Sequence, residues 1–148
     1  YNMAGWRVGF AVGNREVIAL INKIQDHYYC SLFGGIQVAA ATALTGPQDC
    51  VHSLVTLYEK RRNRLFDALR AAGWQAVPSE GSFFCWLPVP GGMGSEEFAE
   101  HVLREAKVVV APGIGFGNHG EGYVRLGLLT DEDRLAEAVE RIARLGLW

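Results

Sequence analysis

Residues 48–72 carry the longest helical pattern in the chain. Val51, Leu54, Val55, Tyr58, Leu65 and Leu69 recur on one side, and Glu59, Lys60, Arg61, Arg62 and Arg64 fall on the other. Apolar residues three and four apart share one face of an α-helix, so the segment predicts a single long amphipathic helix whose charge run faces solvent. Gly73 supplies the stop, because the residue just past a helix end often takes a left-handed conformation that glycine adopts without strain. From there the apolar period shortens toward two. The chain therefore reads as a helical part, residues 1–73, followed by a mixed part, residues 74–148.

In the helical part, residues 7–12 (RVGFAV) have strand composition and end at Gly13-Asn14. A lone strand cannot form a sheet, so this one needs partners from elsewhere. Asn14 is a suitable N-cap for a helix running from Arg15 toward Tyr28, with Val17, Ile18, Ile21 and Ile24 at helical spacing. Residues 28–35 (YYCSLFGG) have no helical order and read as a loop that can carry function. Residues 36–44 (IQVAAATAL) predict a buried small-residue helix, which Thr45-Gly46-Pro47 interrupts.

In the mixed part, residues 74–77 and 82–87 read as strands, and Phe83, Phe84 and Trp86 as core aromatics. Ser95 is the expected N-cap of a helix over residues 96–106, with Phe98, Val102 and Leu103 inward. A strand over 107–110, a glycine-rich loop over 112–122 and a strand over 123–128 follow. In the last helix Thr130 is the expected cap, Asp131, Glu132 and Asp133 complement the dipole, and Leu135, Ala138, Val139, Ile142 and Leu145 turn inward. Three or four short strands with two covering helices make a small α+β lobe.

Composition excludes several functions. Nearly half the residues are apolar (49%) and the net charge is −2, with no basic stripe interleaved with aromatics to recognise nucleic acid. The apolar runs fall short of the roughly 18–20 residues of a membrane span. Cys30, Cys50 and Cys85 are odd in number and widely spaced, as expected of reduced cytoplasmic thiols packed as small hydrophobes. His27, His52, His101 and His119 lack metal-ligand spacing, so no metal site is expected. Residues 1–10 have neither the charged n-region nor the h-region of a signal peptide, and a start at Tyr1 reads as a cut.

Two arginines stand in unusual settings. Arg7 closes the opening YNMAGWR, and Arg125 lies inside an apolar strand, on the same side as Tyr123 and Gly127 by alternation. A charge in such a run needs a counter-ion or an edge. The opening YNMAGWRVGF resembles the segment of class I and II aminotransferases that follows the cofactor lysine, whose pattern is S-K-x-[YF]-x-M-x-G-W-R. The small-residue helix, the basic long helix, the GSFF strand and the closing VVVAPGIGFGNHGEGYVRLGL also stand in that family's order.

The resemblance implies a pyridoxal-phosphate enzyme of fold type I that moves an amino group between an α-amino acid and a 2-oxo acid, as a cytoplasmic homodimer. It implies α/β architecture overall in the parent enzyme. This chain would supply the end of its large domain, one strand plus helices with the long interdomain helix (1–73), and then its small α+β C-terminal domain (74–148). Arg7 matches the arginine that grips the cofactor phosphate, and Arg125 the one that clamps the substrate carboxylate in a bidentate fork. By the same resemblance Phe116, with Ile114, would border the substrate side chain, and Tyr29, with Tyr28 and Ser31, would reach the neighbouring subunit's active site.

The cofactor lysine falls two residues before Tyr1, and Lys23, Lys60 and Lys107 lack its context. No catalytic residue is therefore expected in this chain, which by itself should be inactive. The glycine-rich PGIGFGNHGEG lacks a lysine-serine pair and opens onto a strand, so it is no phosphate loop; flexibility and a tight turn account for most of its glycines. QDHYYCSLFGGIQ and GSFFCWLPVP look most like the branch acting on the methionine-salvage oxo acid, with diaminopimelate-type and aspartate enzymes as alternatives. A carbon–sulfur β-lyase and the aminotransferase-like regulatory domain of a transcription factor are the other readings of the same resemblance.

Overall fold

The computed structural model describes residues 1–29 and 31–148; the expectation for Cys30 lies outside them. It divides into two compact units, Tyr1–Leu54 and Val55–Trp148.

The first unit holds a 3-10 turn, Ala4–Trp6, then α1 (Arg15–Tyr28), α2 (Gly34–Thr45) and the opening of α3 (Asp49–Ala71). Asn14 caps α1 as expected, its side-chain oxygen accepting from the backbone N–H groups of Glu16 at 2.9 Å and Val17 at 3.2 Å. Residues 7–12 form no strand. Their expected strand is corrected: among the described residues of this unit no other strand offers a ladder, and Phe10 and Val12 stand exposed. The expected buried helix is corrected too, since α2 buries only Ala40. α1 is amphipathic yet leaves Val17, Leu20, Ile21, Ile24 and Tyr28 exposed.

In the second unit, α3 ends as predicted. Gly73 takes φ +82° and donates to the Arg70 carbonyl, while Trp74 N–H reaches back to Leu69 O at 2.9 Å. Three antiparallel strands follow, β1 (Phe84–Pro88), β2 (Ala111–Pro112) and β3 (Tyr123–Gly127), in the order β1-β3-β2. α4 (Ser95–Ala106) and α5 (Glu132–Ala143) complete the lobe. Cys85, Leu87, Val124 and Leu126 line the buried face of the sheet. They share one core with Leu65, Phe66 and Leu69 of α3, Phe98 and Val102 of α4, and Leu135, Val139 and Ile142 of α5.

Several local expectations shift. Residues 74–77 form no strand: Trp74 is buried as a side chain, its indole N–H donating to Pro88 O at 2.8 Å. Residues 107–110 form none either, because Lys107 is the left-handed C-cap of α4 and the ladder begins only at Ala111. Gly94, not Ser95, is the N-cap of α4, and Asp131, not Thr130, caps α5 by accepting from Arg134 N–H at 2.9 Å. Leu103 is exposed, and α5 buries Ala136 where Ala138 was expected. Within the charge run of α3, Arg61 and Arg62 leave the solvated face to donate to the carbonyls of Leu128 and Ser79. Cys85 is buried, but Cys50 is exposed instead of packed.

Candidate functional site

β3 is the central strand, so Arg125 is not an edge residue; its Cα partners are Trp86 on β1 and Ala111 on β2. Alternation sends Val124 and Leu126 into the core and leaves Tyr123 and Arg125 on the opposite face. There the Arg125 guanidinium carbon sits 4.0 Å from the Phe84 ring centroid and 4.3 Å from that of Phe116. Neither a counter-ion nor an edge relieves the charge: among the described residues no carboxylate pairs with Arg125. Cation–π attraction from two rings steadies the guanidinium, and its N–H groups remain available to a ligand.

The expectation that Phe83, Phe84 and Trp86 form the core is corrected here. Phe83 and Trp86 are 37% and 39% exposed. Trp86 stands edge-on to Phe116 at 5.4 Å and to Tyr123 at 6.4 Å, so Phe84 and Trp86 belong to the aromatic face that carries the arginine, while Phe83 packs against Tyr58 and Phe84. Trp86, Phe116, His119, Gly120 and Tyr123 line a concavity of about 380 Å³ beside it. Sequence reasoning missed Phe84, Trp86 and His119; the signal was the period-two offset of FCWLP against YVRLG, which becomes informative once their register is known.

Phe116 is carried by two consecutive 3-10 turns, Gly113–Phe116 and Asn118–Gly120. Flexibility does not explain the glycines at both ends. A Cβ on Gly113 would overlap the Gly120 carbonyl oxygen, and a Cβ on Gly120 would overlap that of Gly113, so close backbone approach requires both. Glu121 then reaches Ser95 at the start of α4: its Oε1 accepts from Ser95 N–H at 2.7 Å and its Oε2 from the Ser95 hydroxyl at 2.8 Å. These bonds, the backbone N–H first, hold the Glu121 carboxyl below its usual range.

Arg7 and Tyr29 lie in the first unit. Arg7 closes the 3-10 turn with φ 54°, and its backbone N–H (3.2 Å) and Nη1 (3.3 Å) both donate to Ala4 O. It is exposed, and among the described residues no carboxylate pairs with it, so the rest of its fork suits a phosphate. Tyr29 follows α1 directly and is 66% exposed, and Tyr28 and Ser31 are exposed as well. Phe116 and Arg125 are thus brought into contact, and Ile114 serves the loop through its backbone N–H. Lys23 lies on α1 and Lys60 on α3, while Lys107 donates to Arg104 O at 2.6 Å. Among the described residues, no cluster of metal-binding side chains occurs and no helix is long and apolar enough to cross a membrane.

The family model described as aminotransferase class I and II matches residues 1–142. The chain is 56% identical to the L-glutamine:4-(methylsulfanyl)-2-oxobutanoate aminotransferase of Bacillus subtilis over 148 residues, which are 100% of this chain and 37% of that protein. It is 42% identical to an LL-diaminopimelate aminotransferase of Halothermothrix orenii, with 96% of this chain and 36% of the relative covered. Among solved structures it is similar to an aminotransferase from Staphylococcus aureus, with a TM-score of 0.91, 38% identity, and coverage of 100% of this chain and 40% of the other. A BacF structure from Bacillus subtilis gives a TM-score of 0.87 at 38% identity, covering 99% and 38%. The chain thus spans well under half the length of these relatives.

Proposed function

Because the chain belongs to the aminotransferase class I and II family, we propose that it forms the C-terminal portion of a pyridoxal-phosphate-dependent enzyme that transfers amino groups from α-amino acids to 2-oxo acids. In this reading residues 1–73 end the large domain and residues 74–148 are the small domain. The enzyme is a cytoplasmic homodimer whose Tyr29 reaches the neighbouring subunit's site. The observation that carries it is the Arg125 guanidinium, within cation–π distance of both Phe84 and Phe116 and with its charge unpaired among the described residues.

Pyridoxal phosphate supplies the electron sink that acidifies the substrate Cα–H. Arg7 holds its phosphate through a planar fork that a lysine could not replace. Arg125 holds the substrate α-carboxylate and so orients the Cα–H bond, while the Phe84 and Phe116 rings beside it exclude water and steady the fork. The acid/base lysine comes from outside this chain. Lys23, Lys60 and Lys107 take no part, and residues 1–148 by themselves are inactive.

The concavity beside Arg125 suits an apolar or thioether side chain, since sulfur sits well against aromatic edges and Trp86, Phe116 and Tyr123 provide three rings. We therefore favour 4-(methylsulfanyl)-2-oxobutanoate as acceptor with glutamine as donor, the pair in the name of the 56% identical relative. A carbon–sulfur lyase and a regulatory domain are less favoured, because the similar proteins are named as aminotransferases.

The test is amino-group transfer by the full-length enzyme, comparing that acceptor with pyruvate and comparing glutamine with LL-diaminopimelate as donor. Faster transfer to the methylsulfanyl acid supports the reading. Absence of transfer to any 2-oxo acid refutes it.

A further inference from the structure

Ser95 is the one fully buried polar side chain among the described residues, at 0% exposed, and the substrate reading gives it no task. It lies at the first position of α4 and joins both ends of the loop that carries Phe116. At the near end, its Oγ accepts from Ile114 N–H at 3.2 Å. At the far end, its N–H and hydroxyl donate to the two carboxylate oxygens of Glu121 at 2.7 and 2.8 Å. Between these ties the backbones of Gly113 and Gly120 close on each other, and the enclosed 3-10 turn presents Phe116 to Arg125 at 4.3 Å. A carboxylate at a helix N-terminus also meets the positive end of the helix dipole, which favours the ionised form that accepts both bonds.

We propose that Ser95 and Glu121 form a latch that positions Phe116, and through it Arg125, for carboxylate recognition. Both are positioning residues, since neither touches the ligand. This rests on Arg125 being the carboxylate clamp. A purely structural cap on α4 would stabilise the helix and leave substrate affinity alone, whereas the latch acts on affinity for one functional group.

The experiment uses the full-length enzyme with Ser95→Ala, Glu121→Gln and Arg125→Lys, singly and with each latch variant combined with Arg125→Lys. Glu121 is exposed and Gln keeps its shape, so this variant folds even where Ser95→Ala does not. Each latch variant should raise the amino-acid KM about tenfold, the order expected when bonds to a charged group are lost, while kcat changes less than about twofold. In the Arg125→Lys background the further effect on KM should disappear, because residues acting through one another are not additive. A lowered Tm with unchanged KM overturns the latch and leaves a helix cap. So does a full tenfold effect that persists beside Arg125→Lys. If Arg125→Lys alone leaves kcat/KM intact, the clamp reading itself fails, and the latch falls with it.

Discussion

Replacing Arg125 by lysine probes the site most directly. The substitution keeps the charge and removes two things: the second of two parallel hydrogen bonds to a carboxylate, and the delocalised guanidinium whose carbon meets the ring centroids of Phe84 at 4.0 Å and Phe116 at 4.3 Å. A charge-assisted bond is worth about 1.5–3 kcal/mol. An ammonium still attracts an aromatic face but has no planar π system to place against one, and because Phe116 is half exposed we assign only about 0.5–1 kcal/mol to that loss. Together, roughly 2–4 kcal/mol lowers kcat/KM for amino acids by about thirty- to eight-hundredfold. Stability should change little, because Arg125 has no ion pair among the described residues to lose. Steady-state kinetics, thermal unfolding and the absorbance of bound cofactor measure the three consequences in the full-length enzyme. Unchanged kcat/KM, or cofactor lost in proportion to activity, would refute the assignment.

The Glu121 carboxyl is held below its usual range by Ser95, so its contribution to stability is present above the ordinary glutamate pKa and is lost as pH falls through the lowered one. The acid limb of a Tm-against-pH curve should flatten in Glu121→Gln, and an identical limb in both proteins contradicts the pairing. Phe98 is fully buried and edge-on to Trp74 at 5.7 Å. Phe98→Ala should therefore cost about 3–5 kcal/mol in urea unfolding, and a loss under about 1 kcal/mol would remove Phe98 from the core. Burial raises the Cys85 thiol pKa against smaller opposing effects from Ser79 and Arg62, while Cys50 is exposed. Peptide mapping after brief alkylation should find Cys50 labelled and Cys85 protected until unfolding; early labelling of Cys85 counts against its placement.

Local chemistry in the sequence determined where α1 begins and where α3 ends. Asn14 before an apolar period of 3.6 marks the start of α1, and Gly73 marks the end of α3, because capping and left-handed termination depend only on neighbouring residues. The motif around Arg7 and the charged residue inside YVRLG were legible in the same way, as was the alternation that puts Arg125 opposite the core. Only tertiary structure could decide that residues 7–12, 74–77 and 107–110 would not be strands, since a ladder requires a partner at the right distance and strand composition is blind to it. It also decided that Phe84 meets a charge and Trp86 lines the concavity beside it instead of filling the core, which depends on the register of β1 against β3. Ser95 and Glu121 are 26 residues apart, each with an ordinary local explanation as a cap and a loop acid. Their pairing follows from α4 packing beside the loop, and no periodicity in the sequence encodes an approach of that range.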